Sequence, residues 1–228
     1  MQDAPGRDND QLAAAREIRE SGWDWPDEGE TMIGLERLNC VQGCVESVLR
    51  DGVPGDLLEA GVWRGGAAIL MRGVLKAYGA TDRTVWAADS FRGLPPPDAA
   101  SFPQDLATDL SGYEELAVSV EQVKANFSRY GLLDDHVAFL EGWFKDTLPT
   151  APIERLAVLR IDGDYYESTI QALESLYHKV SPGGFVIIDD YKYFEACQQA
   201  VDDFRLAFSV REELIDVDWN SVYWRVAA

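Results

Sequence analysis

At 228 residues the chain can bury one large α/β core or two small ones, and a 46% hydrophobic share with seven tryptophans excludes disordered and fibrous classes. Twenty Lys and Arg against forty Asp and Glu leave a formal charge of −20, a field that repels a nucleic-acid backbone and an anionic membrane surface alike. No apolar run reaches membrane-span length, the polar opening MQDAPGRDNDQ lacks a signal-peptide layout, and Cys40, Cys44 and Cys197 make no CxxC pair, so a reducing, cytoplasmic setting is expected.

The first thirty residues are polar, and WDWPDEGE (Trp23 to Glu30) reads as irregular chain. From Met32 to Arg50, apolar Leu35, Leu38, Val41, Val45, Val48 and Leu49 recur at helical spacing until DGVPG stops them. DLLEAG is a short buried-strand run ending at Gly61, and GGAAILMRGVLKAYGA then reads as a helix starting near Arg64. Thr84 to Ser90 is the next strand. Gly93 to Tyr113 carries four prolines and no period, which marks a lid or a disordered segment. A helix (Glu114 to Tyr130), strands at His136 to Leu140 and Leu156 to Ile161, a helix (Tyr166 to Val180), a strand (Phe185 to Ile188) and a helix (Phe194 to Phe208) follow. The end reads as two strands joined at Asp218 to Ser221. Strands alternating with helices predict an α/β, doubly wound, mostly parallel sheet with a C-terminal antiparallel hairpin. Residues 1–228 then form one domain, with 1–50 as an N-terminal segment and helix packed on it.

In LLEAGVWRGGA, Glu59 closes a strand, Gly61 permits a tight turn, and Gly65 with Gly66 would let backbone approach a ligand at the helix start. The spacing is not the dinucleotide fingerprint GxGxxG, which weighs against NAD or FAD. Asp89, ending the next strand, is placed to accept from ribose hydroxyls. This E-x-G-x-x-x-G pattern with a second-strand acid is similar to the S-adenosylmethionine site of class I methyltransferases. Close strand-to-helix packing would explain the glycines alone.

LRIDGDYYE (Leu159 to Glu167) and VIIDDY (Val186 to Tyr191) end two consecutive strands in paired acids. Asp162, Asp164, Asp189 and Asp190 would converge at the carboxyl edge of the sheet, where like charges require protons or a cation. An oxygen-only donor set selects a hard ion, Mg²⁺ before Zn²⁺. Helix capping explains one acid per strand but not two.

Together TMIG, LLEAGVWRGGA, ADSFRGLP, NFSRYGLLDD, GWFKDTLP, LRIDGDYYEST, SPGGF and IIDDY resemble the macrocin O-methyltransferase family, from about Arg19 to Trp224. The resemblance implies Mg²⁺-assisted transfer of a methyl group from S-adenosylmethionine to a sugar hydroxyl of a glycosylated natural product such as a macrolide, in antibiotic biosynthesis. It implies a metal triad of Asp162, Asp189 and Asp190, and Asp164 as base, with Asp162 the other acid that could serve. Thr31 and Met32 would lie near the methionine end of the cofactor, Glu59 and Gly61 beneath it, Asp89 and Ser90 at the ribose, and Gly142, Trp143 and Phe144 at the adenine. It implies a homo-oligomer acting on a small-molecule glycoside, and family members carry a longer helical segment before TMIG.

A metal-bound pair of hydroxyls and a nearby carboxylate base would suit a poorly acidic sugar alcohol, with Leu94 to Gly112 as lid. Trp23, Trp25, Tyr113, Tyr165, Tyr166, Tyr191 and Tyr193 are candidates for an apolar acceptor wall, although core packing is the commoner job for each. His136 and His178 read as structural. Two alternatives stay open: a catechol-type metal-dependent O-methyltransferase, which typically has a lysine shortly after the first Asp, where this chain has Asp164, Tyr165 and Tyr166, and a non-catalytic nucleotide-binding module, which has no use for the acid cluster.

Overall fold

A computed structural model describes residues 9–227 of the chain, so the stretch MQDAPGRD lies outside them. Its sheet is built from β1 (Asp56–Ala60), β2 (Val85–Asp89), β3 (Val137–Glu141), β4 (Leu156–Ile161), β5 (Val180–Ile188), β6 (Ile215–Asp216) and β7 (Val222–Arg225). Their spatial order is β3-β2-β1-β4-β5-β7-β6. The first five pair in parallel, and β7 inserts antiparallel between β5 and β6. The expected mostly parallel sheet with a closing hairpin is therefore what forms.

The central strands are apolar runs because helices cover both faces. Leu57 and Val158 point into one core, with Val45 and Val48 of α2 (Gly34–Arg50), Met71 and Leu75 of α3 (Gly66–Ala77) and Phe127 of α4 (Val120–Arg129). Their neighbours Leu58 and Leu159 point the other way, onto Leu173 and Leu176 of α6 (Tyr166–Leu176) and Val201 and Phe204 of α7 (Glu195–Ala207). The chain leaves β1 toward β2 on one side and returns to β4 on the other. The carboxyl ends of β1 and β4 thus flank the switch point where such sheets bind ligands. Among the described residues no helix is long and apolar enough to cross a membrane.

Five stretches differ from their sequence reading, one of them the helix expected to run to Val180, which ends at Leu176 so that β5 begins at Val180 instead of Phe185. Residues Asn9–Ser21 form a helix, α1, where only polar chain was expected; its sparse apolar residues give no strong period, and the helix-favouring run AAAREIRE was the missed signal. The helix expected from Glu114 is a single 3₁₀ turn (Glu114–Leu116), and α4 begins only after Ser119, whose hydroxyl accepts from Gln122 N–H at 3.3 Å. Between Gly93 and Tyr113 the expected lid contains a 3₁₀ turn, Pro103–Ala107, with Asp105 wholly buried. A short helix, α5 (Phe144–Thr147), was not foreseen.

Candidate active site

A cavity of about 690 Å³ opens above the carboxyl ends of the central strands, a size suited to a small-molecule ligand. Thr31, Met32, Glu59, Gly61, Asp89, Ser90, Trp143 and Phe144 line it, as do Asp162, Asp164, Asp189 and Asp190. Gly142 does not. It turns the chain beneath, at φ 145°, with its N–H donating to the Asp89 carbonyl at 2.9 Å.

The glycines of the first turn serve neighbouring protein segments. A Cβ on Gly61, at φ 90°, would fall 1.7 Å from the carbonyl oxygen of Asp162, so glycine is what allows the ends of β1 and β4 to meet. A Cβ on Gly66 would fall 2.6 Å from that of Thr31, and the Gly66 N–H donates to the Glu30 carbonyl at 2.9 Å. Arg64 holds the same crossing from beyond, donating to the carbonyls of Pro26, Asp27 and Gly29. The irregular segment before α2 is thereby seated over the start of α3 and walls the cavity with Trp23, Trp25 and Thr31.

Asp89 Oδ2 accepts from Val62 N–H and its Oδ1 from Phe91 N–H, each at 2.7 Å, and the Ser90 hydroxyl is a further donor to Oδ1 at 3.5 Å. The residue faces the cavity. Burial pushes its carboxyl up, against those backbone bonds. Glu59 is buried; one oxygen accepts from Ala68 N–H at 2.8 Å and the other from Arg160 at 2.5 Å. Burial pushes Glu59 up to about 8, opposed by Arg160. The wall and the ribose-type acceptor fit an adenosine-based cofactor.

On the other side of β4, carboxylate oxygens of Asp162, Asp164 and Asp190 all lie within 4.8 Å of one another. Asp164 sits at φ 58°. Burial, then neighbouring carboxylates, hold Asp164 and Asp190 well above the ordinary range, and Asp162 is raised for the same reasons. Asp190 Oδ1 accepts from Asn220 at 3.2 Å, while its buried Oδ2 has no partner among the described residues. Three hard oxygens, one of them orphaned, fit a small divalent cation.

Asp189 stands outside that trio. Its Oδ1 accepts from Arg160 and its Oδ2 from Arg37, both at 2.5 Å. Arg160 also bonds Asp162 at 2.9 Å, and Arg37 bonds Asp218 at 2.8 Å. Sequence reasoning missed Arg37, Arg160 and Asn220. Only Arg160 had a visible signal, since an arginine inside an apolar strand run demands buried partners.

Of the seven aromatic candidates, Trp23, Trp25, Tyr113, Tyr165 and Tyr193 line the cavity. Tyr166 and Tyr191 do not; their hydroxyls donate to Asp203 and Asp202. Trp219, unforeseen, stacks on Trp23 at 3.9 Å. His136 and His178 are not in the wall, and the three cysteines are free thiols away from it.

A 3-2-1-4-5-7-6 sheet with strand 7 reversed, carrying an acid-ended nucleotide-type cavity at its switch point, defines a class I S-adenosylmethionine-dependent methyltransferase. The chain matches the macrocin-O-methyltransferase (TylF) family over residues 3–226 and belongs to it; it is an O-methyltransferase. It is 55% identical over 221 residues to mycinamicin III 3''-O-methyltransferase of Micromonospora griseorubida, covering 96% of this chain and 87% of that one. It is 57% identical over 208 residues (91% and 79%) to 8-demethyl-8-(2,3-dimethoxy-alpha-L-rhamnosyl)-tetracenomycin-C 4'-O-methyltransferase of Streptomyces olivaceus. The solved O-methyltransferase NovP superposes with a TM-score of 0.92 at 53% identity, over 93% of this chain and 88% of that chain.

Proposed function

We propose that this enzyme methylates a sugar hydroxyl of a glycosylated natural product, with Mg²⁺ assisting. The observation that carries the proposal is the gathering of four acids, Asp162, Asp164, Asp189 and Asp190, in the wall of one cavity, with oxygens of Asp162, Asp164 and Asp190 within 4.8 Å of one another. A rhamnosyl-modifying relative at 57% identity supports a sugar acceptor.

In this reading Asp89 and Ser90 hold the ribose, Thr31 and Met32 flank the methionine end, and Trp143 and Phe144 enclose the adenine, with Gly142 turning the chain below. Glu59 and Gly61 brace the floor. Asp162, Asp189 and Asp190 hold the ion, Asp189 using lone pairs left free by its two arginines. Bound Mg²⁺ supplies Lewis-acid stabilisation of a developing alkoxide. Asp164, which lies within 4.8 Å of the Asp162 and Asp190 oxygens and is not assigned to the ion, accepts the hydroxyl proton. Trp23, Trp25, Tyr113 and Tyr193 keep water from the acceptor. The enzyme acts on a small glycoside, in the cytoplasm, as a homo-oligomer. Its charge of −20 disfavours a nucleic-acid partner.

The test is incubation with isotopically labelled S-adenosylmethionine and a panel of deoxysugar glycosides and catechols, with Mg²⁺ or excess chelator. A labelled methyl located by NMR on a sugar oxygen, and lost with chelator, is the expected result. Turnover of catechols alone, or full activity in chelator, would reverse the acceptor or the metal assignment respectively.

A further inference from the structure

The loop from Gly93 to Tyr113 is hydrogen-bonded to the start of α6, and that place adjoins the acid site. Asp105 has no exposed surface although its neighbour Leu106 is 64% exposed. Its Oδ1 accepts from Tyr166 N–H at 2.6 Å and its Oδ2 from Glu167 N–H at 3.0 Å. These are the first two N–H groups of α6, which a helix leaves without internal partners. The residue at the cap position, Tyr165, makes no side-chain cap bond. Its hydroxyl instead reaches the loop, accepting from Leu110 N–H at 2.8 Å.

The two ties grip the far end of the short connection Asp162–Tyr165, which leads from β4 into α6 and carries Asp164 in a left-handed conformation. Aspartate is among the few side chains that tolerate this region, but the conformation still carries a cost that the surrounding turn must hold. Leu94, Pro95 and Leu110 of the same loop line the cavity.

We propose that Asp105 is a positioning residue for methyl transfer: by capping α6 from the loop it fixes the Asp162–Tyr165 turn and, through it, the placement of Asp164. The loop wall of the cavity and the acid site are then ordered together. This rests on the reading of Asp164 as proton acceptor. An ordinary cap would lower stability without acting through Asp164.

The experiment is a mutant cycle of Asp105→Ala, Asp164→Asn and the double variant, with kcat at saturating substrates and S-adenosylmethionine affinity by calorimetry. Asp105→Ala should lower kcat about 10–100-fold, the scale of a small misplacement of a reacting group, and leave cofactor affinity within about twofold. Asp105→Asn keeps one acceptor oxygen and should recover part of the loss; it also carries the cycle should Asp105→Ala not fold. The double variant should be no slower than Asp164→Asn, within about threefold, because residues acting as a unit are not additive. Multiplying losses, or wild-type kcat in Asp105→Ala, would overturn the proposal. Full activity of Asp164→Asn would sink the proton-acceptor reading alone. In that case Mn²⁺ affinity of Asp105→Ala, read by paramagnetic resonance, decides: about a tenfold loss upholds the positioning role and no change removes it.

Discussion

Replacing Gly61 by alanine tests whether this glycine serves the cofactor or the junction of two strands. The new Cβ would stand 1.7 Å from the Asp162 carbonyl oxygen, where real contacts do not fall under 3.0 Å, so the ends of β1 and β4 must part by about 1.3 Å. The oxygen is backbone, so no side chain can swing aside. Alanine must also hold φ 90°, which L-residues resist. Overpacking costs about 1–3 kcal/mol and the strained backbone about 1–3 more. For a chain of this size that lowers Tm by roughly 4–24 °C. A displacement of about 1 Å at Asp162 also carries an expected loss near 10²-fold in kcat. The assays are thermal unfolding by circular dichroism and steady-state turnover at saturating S-adenosylmethionine. If Gly61→Ala melts within about 2 °C of wild type and keeps wild-type kcat, the strand-junction account of this glycine is wrong.

Two further outcomes separate the parts of the site. Asp89→Ala should weaken S-adenosylmethionine binding by about 1.5–3 kcal/mol, the loss of hydrogen bonds to a charged acceptor, with some loss of Tm because Val62 and Phe91 N–H lose their acceptor; unchanged calorimetric affinity would remove Asp89 from the ribose. Asp164→Asn should keep Mg²⁺ affinity and lose about 10²–10⁴-fold in kcat, whereas Asp189→Asn should lose Mg²⁺ affinity; titration calorimetry giving the reverse pattern would make Asp164 the third ligand and Asp189 a brace.

The fold was largely legible because buried parallel strands are apolar runs and their spacing reports the helices between them. What escaped was either short or polar. The α1 helix has too few apolar residues for a period, and α5 spans only four residues. In the site, each acid at a strand end was visible because its position in the chain is its position in the sheet. Gly61, Asp89, Asp162 and Asp190 needed no knowledge of side-chain direction. The partners of those acids come from distant elements, Arg37 from α2 and Asn220 from the β6–β7 turn, and periodicity says nothing of such pairings. Asp105 was invisible for the same reason: its targets lie 61 and 62 residues away.

The arrangement of charge explains why so acidic a pocket can exist. Register sets Arg160 beside Glu59 on β1 and beside Ile187 on β5, two residues before Asp189. From there one guanidinium reaches Glu59, Asp162 and Asp189, in the cavity floor itself. Arg37 closes on Asp189 from α2 and spends its other side on Asp218. Both arginines are thus committed on the floor side, and no basic side chain pairs with Asp164 or Asp190 among the described residues. Isolated buried carboxylates are costly, so the neutralisation withheld there must come from protons or from a cation. A third arginine would relieve the repulsion and fill the place that the proposed mechanism gives to an ion and a proton-accepting carboxylate. The two arginines stabilise the floor and leave Asp164 and Asp190 without a basic partner, at the positions where the proposed ion and proton acceptor would work.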